Sequence, residues 1–235
     1  MLDLSSTDFS FAIESVDPSQ LEILSSSLFD EWEAYVEQSL TLPDYSLFLQ
    51  IEEGSINGWG KIKSTAKTVV IGLTAYGGLW SGVDVVSKQL KATSNFLAEH
   101  AQSKFSCPGS QATVRKKGGA PAALQRLFAR VQNGELTPEE ATTQAQAILG
   151  DEASEVPGFL EALSNAFRTC PRHLQQAPLP FEELLEPKSL EELSGNKKPK
   201  PTKNRAPDLP PPLHYRVEVW RESKRKRKQT KVTIL

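Results

Sequence analysis

One stretch limits the possible folds more than any other. From Lys61 to Lys104, apolar residues recur mostly at alternating four- and three-residue spacing: Ile62, Ala66, Val69, Leu73, Tyr76, Trp80, Val83, Leu90 and Leu97. This heptad-like seam predicts one long helix that needs a partner along its length. Ser87 and Ser94 sit where the seam weakens. A second face carries Ala75, Gly78 and Gly82, with Trp80 beside them. Small residues at that spacing let another backbone come close. Ala75, Gly78, Trp80 and Gly82 are therefore candidate protein-contact residues. The uncharged run Thr68–Val83 has 16 residues. At about 1.5 Å per residue it spans roughly 24 Å, short of the ~30 Å hydrocarbon core. Tyr76 and Trp80 lie within the run, not at its ends where an aromatic belt belongs. The favoured reading is a helix buried on two faces; membrane insertion and an oligomer seam are the alternatives.

Upstream, Phe9, Phe11 and Ile13 alternate with polar or small residues, which predicts a half-buried strand over 9–15. Asp17-Pro18 is an N-cap followed by proline at the first helical position. Leu21, Leu24, Leu28, Trp32, Tyr35 and Val36 then mark one helix face, ending near Leu40. Leu47, Leu49 and Ile51 alternate over Tyr45–Glu53. Residues 9–55 read as a β-α-β unit. Gly58 and Gly60 flank Trp59 in what reads as a flexible joint before the long helix.

Downstream, 106–121 reads as a loop containing Arg115-Lys116-Lys117. Three short helices follow. The first starts at Pro121, with Leu124, Leu127, Phe128 and Val131 on its apolar face. The second opens on the capping box Thr137-Pro138-Glu139-Glu140 and stops at Gly150. The third runs Pro157–Arg168. Residues 171–213 read as a Pro/Lys-rich linker interrupted by a short helix at Phe181–Leu193. Tyr215, Val217, Val219 and then Val232, Ile234 flank a basic run, which predicts a hairpin with a basic turn. The predicted fold class is α+β: a small sheet from the N-terminal β-α-β unit, joined in one version by the C-terminal hairpin, with one long helix and a three-helix subdomain. The expected units are 1–105, 106–170, 171–213 and 214–235.

Charge divides the chain sharply. Residues 196–235 carry 13 Lys+Arg against 3 Asp+Glu, while 1–195 carry 14 against 26. An acidic body with a basic tail predicts an anionic partner, a nucleic acid or an anionic membrane, or else a tail folded back on its own body. Lys224, Arg225, Lys226, Arg227 and Lys228 are the candidate contacts. Met1–Ser10 holds no basic cluster and no apolar run, so no secretory signal is expected. With only Cys107 and Cys170, the expected setting is cytoplasmic, with a membrane-associated alternative.

Reaction chemistry finds little support. Ser55-Ile-Asn-Gly-Trp-Gly60-Lys61 lies between a strand and a helix, where a phosphate loop would lie. However, the first glycine is displaced to Gly54, and Ile62 stands where the hydroxyl would bind metal. His100, His173 and His214 are far apart and lack partners at metal-ligand spacing. No catalytic, cofactor or metal residue is predicted. Phe9-Ser-Phe-Ala-Ile-Glu14, Leu47-Phe-Leu-Gln-Ile-Glu-Glu-Gly54-Ser55 and Leu124–Ala141 together resemble a loose set of uncharacterised bacterial and prophage-type proteins. Those have a strand–helix–strand start ending in an E-G-S strand. The resemblance implies no activity and carries over no site residue. The expected function is non-enzymatic interaction or assembly, through the small-faced helix and the basic C-terminal segment. A membrane-active protein and a nucleic-acid-binding accessory protein are the alternatives.

Overall fold

The computed structural model describes residues 1–12, 16–53, 56–105, 112–150, 153, 156–171 and 214–235. The fold is α+β. In chain order it runs β1 (Leu2–Phe11), α1 (Pro18–Ser39), β2 (Ser46–Glu52), β3 (Ile56–Ser64), α2 (Ala66–Thr74), α3 (Leu79–Phe105) and β4 (Ala112–Gly118). Helices α4 (Ala120–Gln132), α5 (Pro138–Leu149) and α6 (Phe159–Thr169) follow, and β5 (Tyr215–Arg221) and β6 (Gln229–Ile234) close the chain. The six strands form one antiparallel sheet in the order β4-β1-β3-β2-β5-β6.

The β-α-β unit is present but split. β3 lies between β1 and β2 and runs antiparallel to both. The flexible joint read at Gly58-Trp59-Gly60 is thus wrong: it is part of a central strand. The reason is packing. A Cβ built on Gly58 would lie 1.9 Å from the Phe9 ring, and one on Gly60 would lie 2.1 Å from Leu97. Glycine is the inward residue at both positions because Phe9 and α3 fill the space a side chain would take.

The long helix begins at Leu79, not near Lys61. Residues 56–64 belong to β3, and α2 meets α3 at a bend of 110°. The break falls at Gly77, whose positive φ of 76° is a left-handed turn conformation. The Ser81 hydroxyl ties the turn by donating to the carbonyls of Tyr76 and Gly78. The loop expected at 106–121 contains edge strand β4, paired with β1 from Ser5↔Gly118 to Phe11↔Ala112.

Helix α1 packs on β2 and β5, and α3 packs on β1 and β4, so both cover the same face of the sheet. Leu28, Phe29, Trp32 and Val36 of α1 meet Leu47, Leu49, Ile51, Val217 and Val219 in one buried core. The three short helices form where expected. Thr137 and Glu140 make the reciprocal capping box, and α4 and α6 pack against α3. The hairpin joins the sheet through β5 and β2. The expected helix at 181–193, and nearly all of the 171–213 linker, lie outside the described residues.

Candidate binding surface

Side chains alternate along a strand, so pairing register lines up rows on the face the helices leave open. One row, from β4 to β6, reads Arg115, Asp8, Trp59, Gln50, Glu218 and Lys231. The next reads Lys117, Ser6, Lys61, Phe48, Trp220 and Gln229. A third reads Thr113, Ser10, Asn57, Glu52, Arg216 and Thr233. No described helix packs against these rows. An exposed antiparallel face ordinarily carries polar residues. Here three aromatics, Phe48, Trp59 and Trp220, lie half-buried at its centre.

The aromatics are held in place by their neighbours. Phe48 and Trp59 meet edge to face, with ring centroids 5.3 Å apart. The Trp59 indole N–H donates to the Ser6 hydroxyl at 3.2 Å. The Lys61 ammonium lies 5.3 Å from the Trp59 ring centroid and pairs with Asp3 at 2.6 Å. Two depressions flank this ridge. One of about 630 Å³ is lined by Phe48, Trp59, Trp220, Lys63 and Lys226. The other, of about 460 Å³, lies between Trp59 and Arg115.

The charges on this face are only partly matched. Arg216 pairs with Glu52 at 2.7 Å, and Lys117 reaches Asp8 at 3.9 Å. Lys63, Arg115 and Lys231 have no carboxylate within 4.0 Å among the described residues. The opposite layer has the other sign: α1 carries Glu22, Asp30, Glu31, Glu33 and Glu37 and no lysine or arginine.

The five basic residues singled out in the sequence form the β5–β6 turn, at one corner of the open face. This turn has no glycine or asparagine, and side chains from elsewhere shape it instead. Arg221 donates to the carbonyls of Lys224 and Lys226 and pairs with Glu33. Those contacts hold the Arg221 guanidinium firmly protonated: the hydrogen bond to Glu33 raises its pKa more than burial lowers it. Asp44 accepts from the Ser223 hydroxyl and the Lys224 N–H at 2.9 and 2.8 Å. Lys228 turns back to Asp30 of α1 at 2.5 Å, and Lys226 pairs with Glu222. Part of the basic run is therefore matched to the acidic body. Arg225 and Arg227 are exposed and unpaired among the described residues.

The residues proposed as a contact stripe do not share one helix face. Ala75 caps α2, and Gly78 is exposed in the turn before α3. Gly82 is buried inside the molecule, where a Cβ would lie 2.0 Å from the Leu73 carbonyl oxygen. Its smallness lets α3 approach the backbone of α2 within the same chain. Trp80 packs on Phe128 with ring centroids 5.0 Å apart. Among the described residues no single helix is long and apolar enough to cross a membrane; α2 and α3 reach the length only as a bent pair. No group of three metal-ligating side chains occurs among the described residues.

Sequence reasoning missed the aromatic face. Its signal was the alternation Asn57, Trp59, Lys61, Lys63, legible only if Gly58 and Gly60 count as inward residues. No protein-family model matches this chain, and no curated protein or solved structure matches it either.

Proposed function

We propose that this chain is a non-enzymatic binding protein that engages an anionic partner with the open face of its sheet and the β5–β6 turn. One observation carries the reading. On the open face and the turn, cations without a carboxylate partner among the described residues outnumber the unpaired Glu218, while the carboxylates of α1 lie on the opposite layer. This separation gives the molecule a field that attracts a polyanion to one side. Arg221 and Asp44 hold the turn in one shape, so binding need not order it. The test is retention on immobilised heparin over a salt gradient. Elution should move to lower salt when Lys63, Arg115 and Arg227 are changed to glutamine together. Unchanged elution of that variant contradicts the reading.

A second observation favours self-assembly, through a strand instead of a helix. β6 is a sheet edge, and Val232, Ile234 and Leu235 are 41%, 62% and 54% exposed. An unpaired apolar edge is a template for another strand. Antiparallel pairing of two copies centred on Val232 sets Lys231 opposite Thr233, so no like charges meet. Light scattering should find a dimer that Val232→Lys converts to monomer; a monomeric parent chain refutes this second reading.

A further inference from the structure

Resting on the open-face reading, we propose that the anionic partner is a single-stranded nucleic acid, its bases stacking on Trp220 and Phe48 and its phosphates held by Lys63, Arg115 and Lys231. Heparin-like attraction alone needs only the cations. It gives no reason for three aromatics at the centre of a face open to water.

Trp220 is the main platform. Among the described residues its ring makes no contact with another ring or a cation, whereas Trp59 already carries Phe48 and Lys61. Trp220 lies directly across from Phe48 in the β2–β5 register. Both line the larger depression, together with Lys63 and Lys226. A flat aromatic surface next to an ammonium suits a base with its phosphate, since every base offers a π-face. A duplex keeps its bases stacked on one another, so it cannot use rings sunk in a sheet.

The spread of charge argues for a polymer over a single nucleotide. Arg115 and Lys231 end the same row on opposite edge strands. Five inter-strand steps of about 4.8 Å separate those edges by roughly 24 Å. One phosphate group cannot reach both ends. An extended strand crossing the sheet meets Arg115 first, then the aromatic centre, then Lys231.

The experiment measures fluorescence anisotropy of labelled oligothymidylate of about 12 nucleotides with the full chain, and heparin retention in parallel. The parent chain should bind the oligonucleotide, with an unlabelled duplex of equal length competing poorly. Trp220→Ala should weaken oligonucleotide binding roughly five- to a hundred-fold, from the usual value of one base–aromatic stack. The same change should leave heparin elution in place, and Trp220→Phe should restore most of the affinity. If Trp220→Ala binds the oligonucleotide as well as the parent does, stacking is overturned while the polyanion reading stands. Equal competition by duplex also overturns it. Loss of both oligonucleotide and heparin binding in the parent chain overturns the two proposals together.

Discussion

The inner face of the sheet carries glycine at 58 and 60, where Phe9 and Leu97 come within reach of the backbone. The outer face, one residue away on the same strand, carries Trp59 and Lys61, which no described helix covers. Large residues on the open side and the smallest residue on the packed side reverse the usual order. The inner glycines are explained by packing alone. No described helix packs on the outer aromatics, which is why we propose a partner for them. The two faces of β3 thus differ in how much packing accounts for them.

Changes on the inner face should have the largest effects on stability. Gly58→Val puts a branched side chain into the buried Phe9 ring. It should cost about 3 kcal/mol, by overpacking against that ring. Urea unfolding reads this as a large drop in midpoint. A loss under about 1 kcal/mol would mean that the inner face is looser than described.

Arg221 links the two layers. Arg221→Ala removes donors to the Lys224 and Lys226 carbonyls and leaves Glu33 without its cation. The expected cost is about 2 kcal/mol. Arg221→Lys should not rescue it, since an ammonium cannot serve carbonyls and carboxylates in fixed fork geometry. Full rescue by lysine would show that only charge matters there.

On the open face, Lys63→Gln should change stability by no more than about 0.5 kcal/mol, because the side chain is half-buried and has no carboxylate partner among the described residues. Heparin elution should still shift. Gly58→Val should show the opposite pair of outcomes, a large loss of stability from a side chain that faces away from the partner.

A smaller effect is set by pH. Burial, followed by the nearby charges of Glu37 and Glu33, pushes the Tyr45 phenol well above its ordinary value. Below about pH 10 both folded and unfolded chains keep the proton, and Tyr45 causes no loss. Above it the unfolded chain ionises first, so stability falls as pH rises. Among the described residues the buried Tyr45 hydroxyl has no hydrogen-bond partner. Tyr45→Phe should therefore match the parent at pH 7 and lose less stability at pH 11, as read by thermal unfolding. Equal alkaline losses in both proteins would contradict this.

How much was legible follows from local pattern. Helix α1, β2, the capping box at Thr137 and the strands of the hairpin each announce themselves by a pattern within one element. β3 was hidden because its inward positions are glycine, which carries no hydropathy signal. β4 was hidden because three consecutive cations look like a loop, although Lys116 reaches inward to Asn95 of α3. The seam at 61–104 reads as one helix because a strand, a short helix and a long helix keep one apolar spacing across two breaks. The basic turn was legible as a charge run, but its shape was not, since Arg221 and Asp44 build it from distant chain. The aromatic surface exists only in the register of β2, β3 and β5, which brings Phe48 beside Trp220 across more than 170 residues.

The four tryptophans offer the most direct test. Trp59 and Trp220 lie on the open face, Trp32 is buried in the core, and Trp80 packs against Phe128. Their four indole N–H signals can be followed by NMR while heparin is added. The Trp59 and Trp220 signals should shift, with Trp32 and Trp80 unmoved. Binding that shifts Trp80 and leaves the two open-face signals in place would contradict the open-face reading.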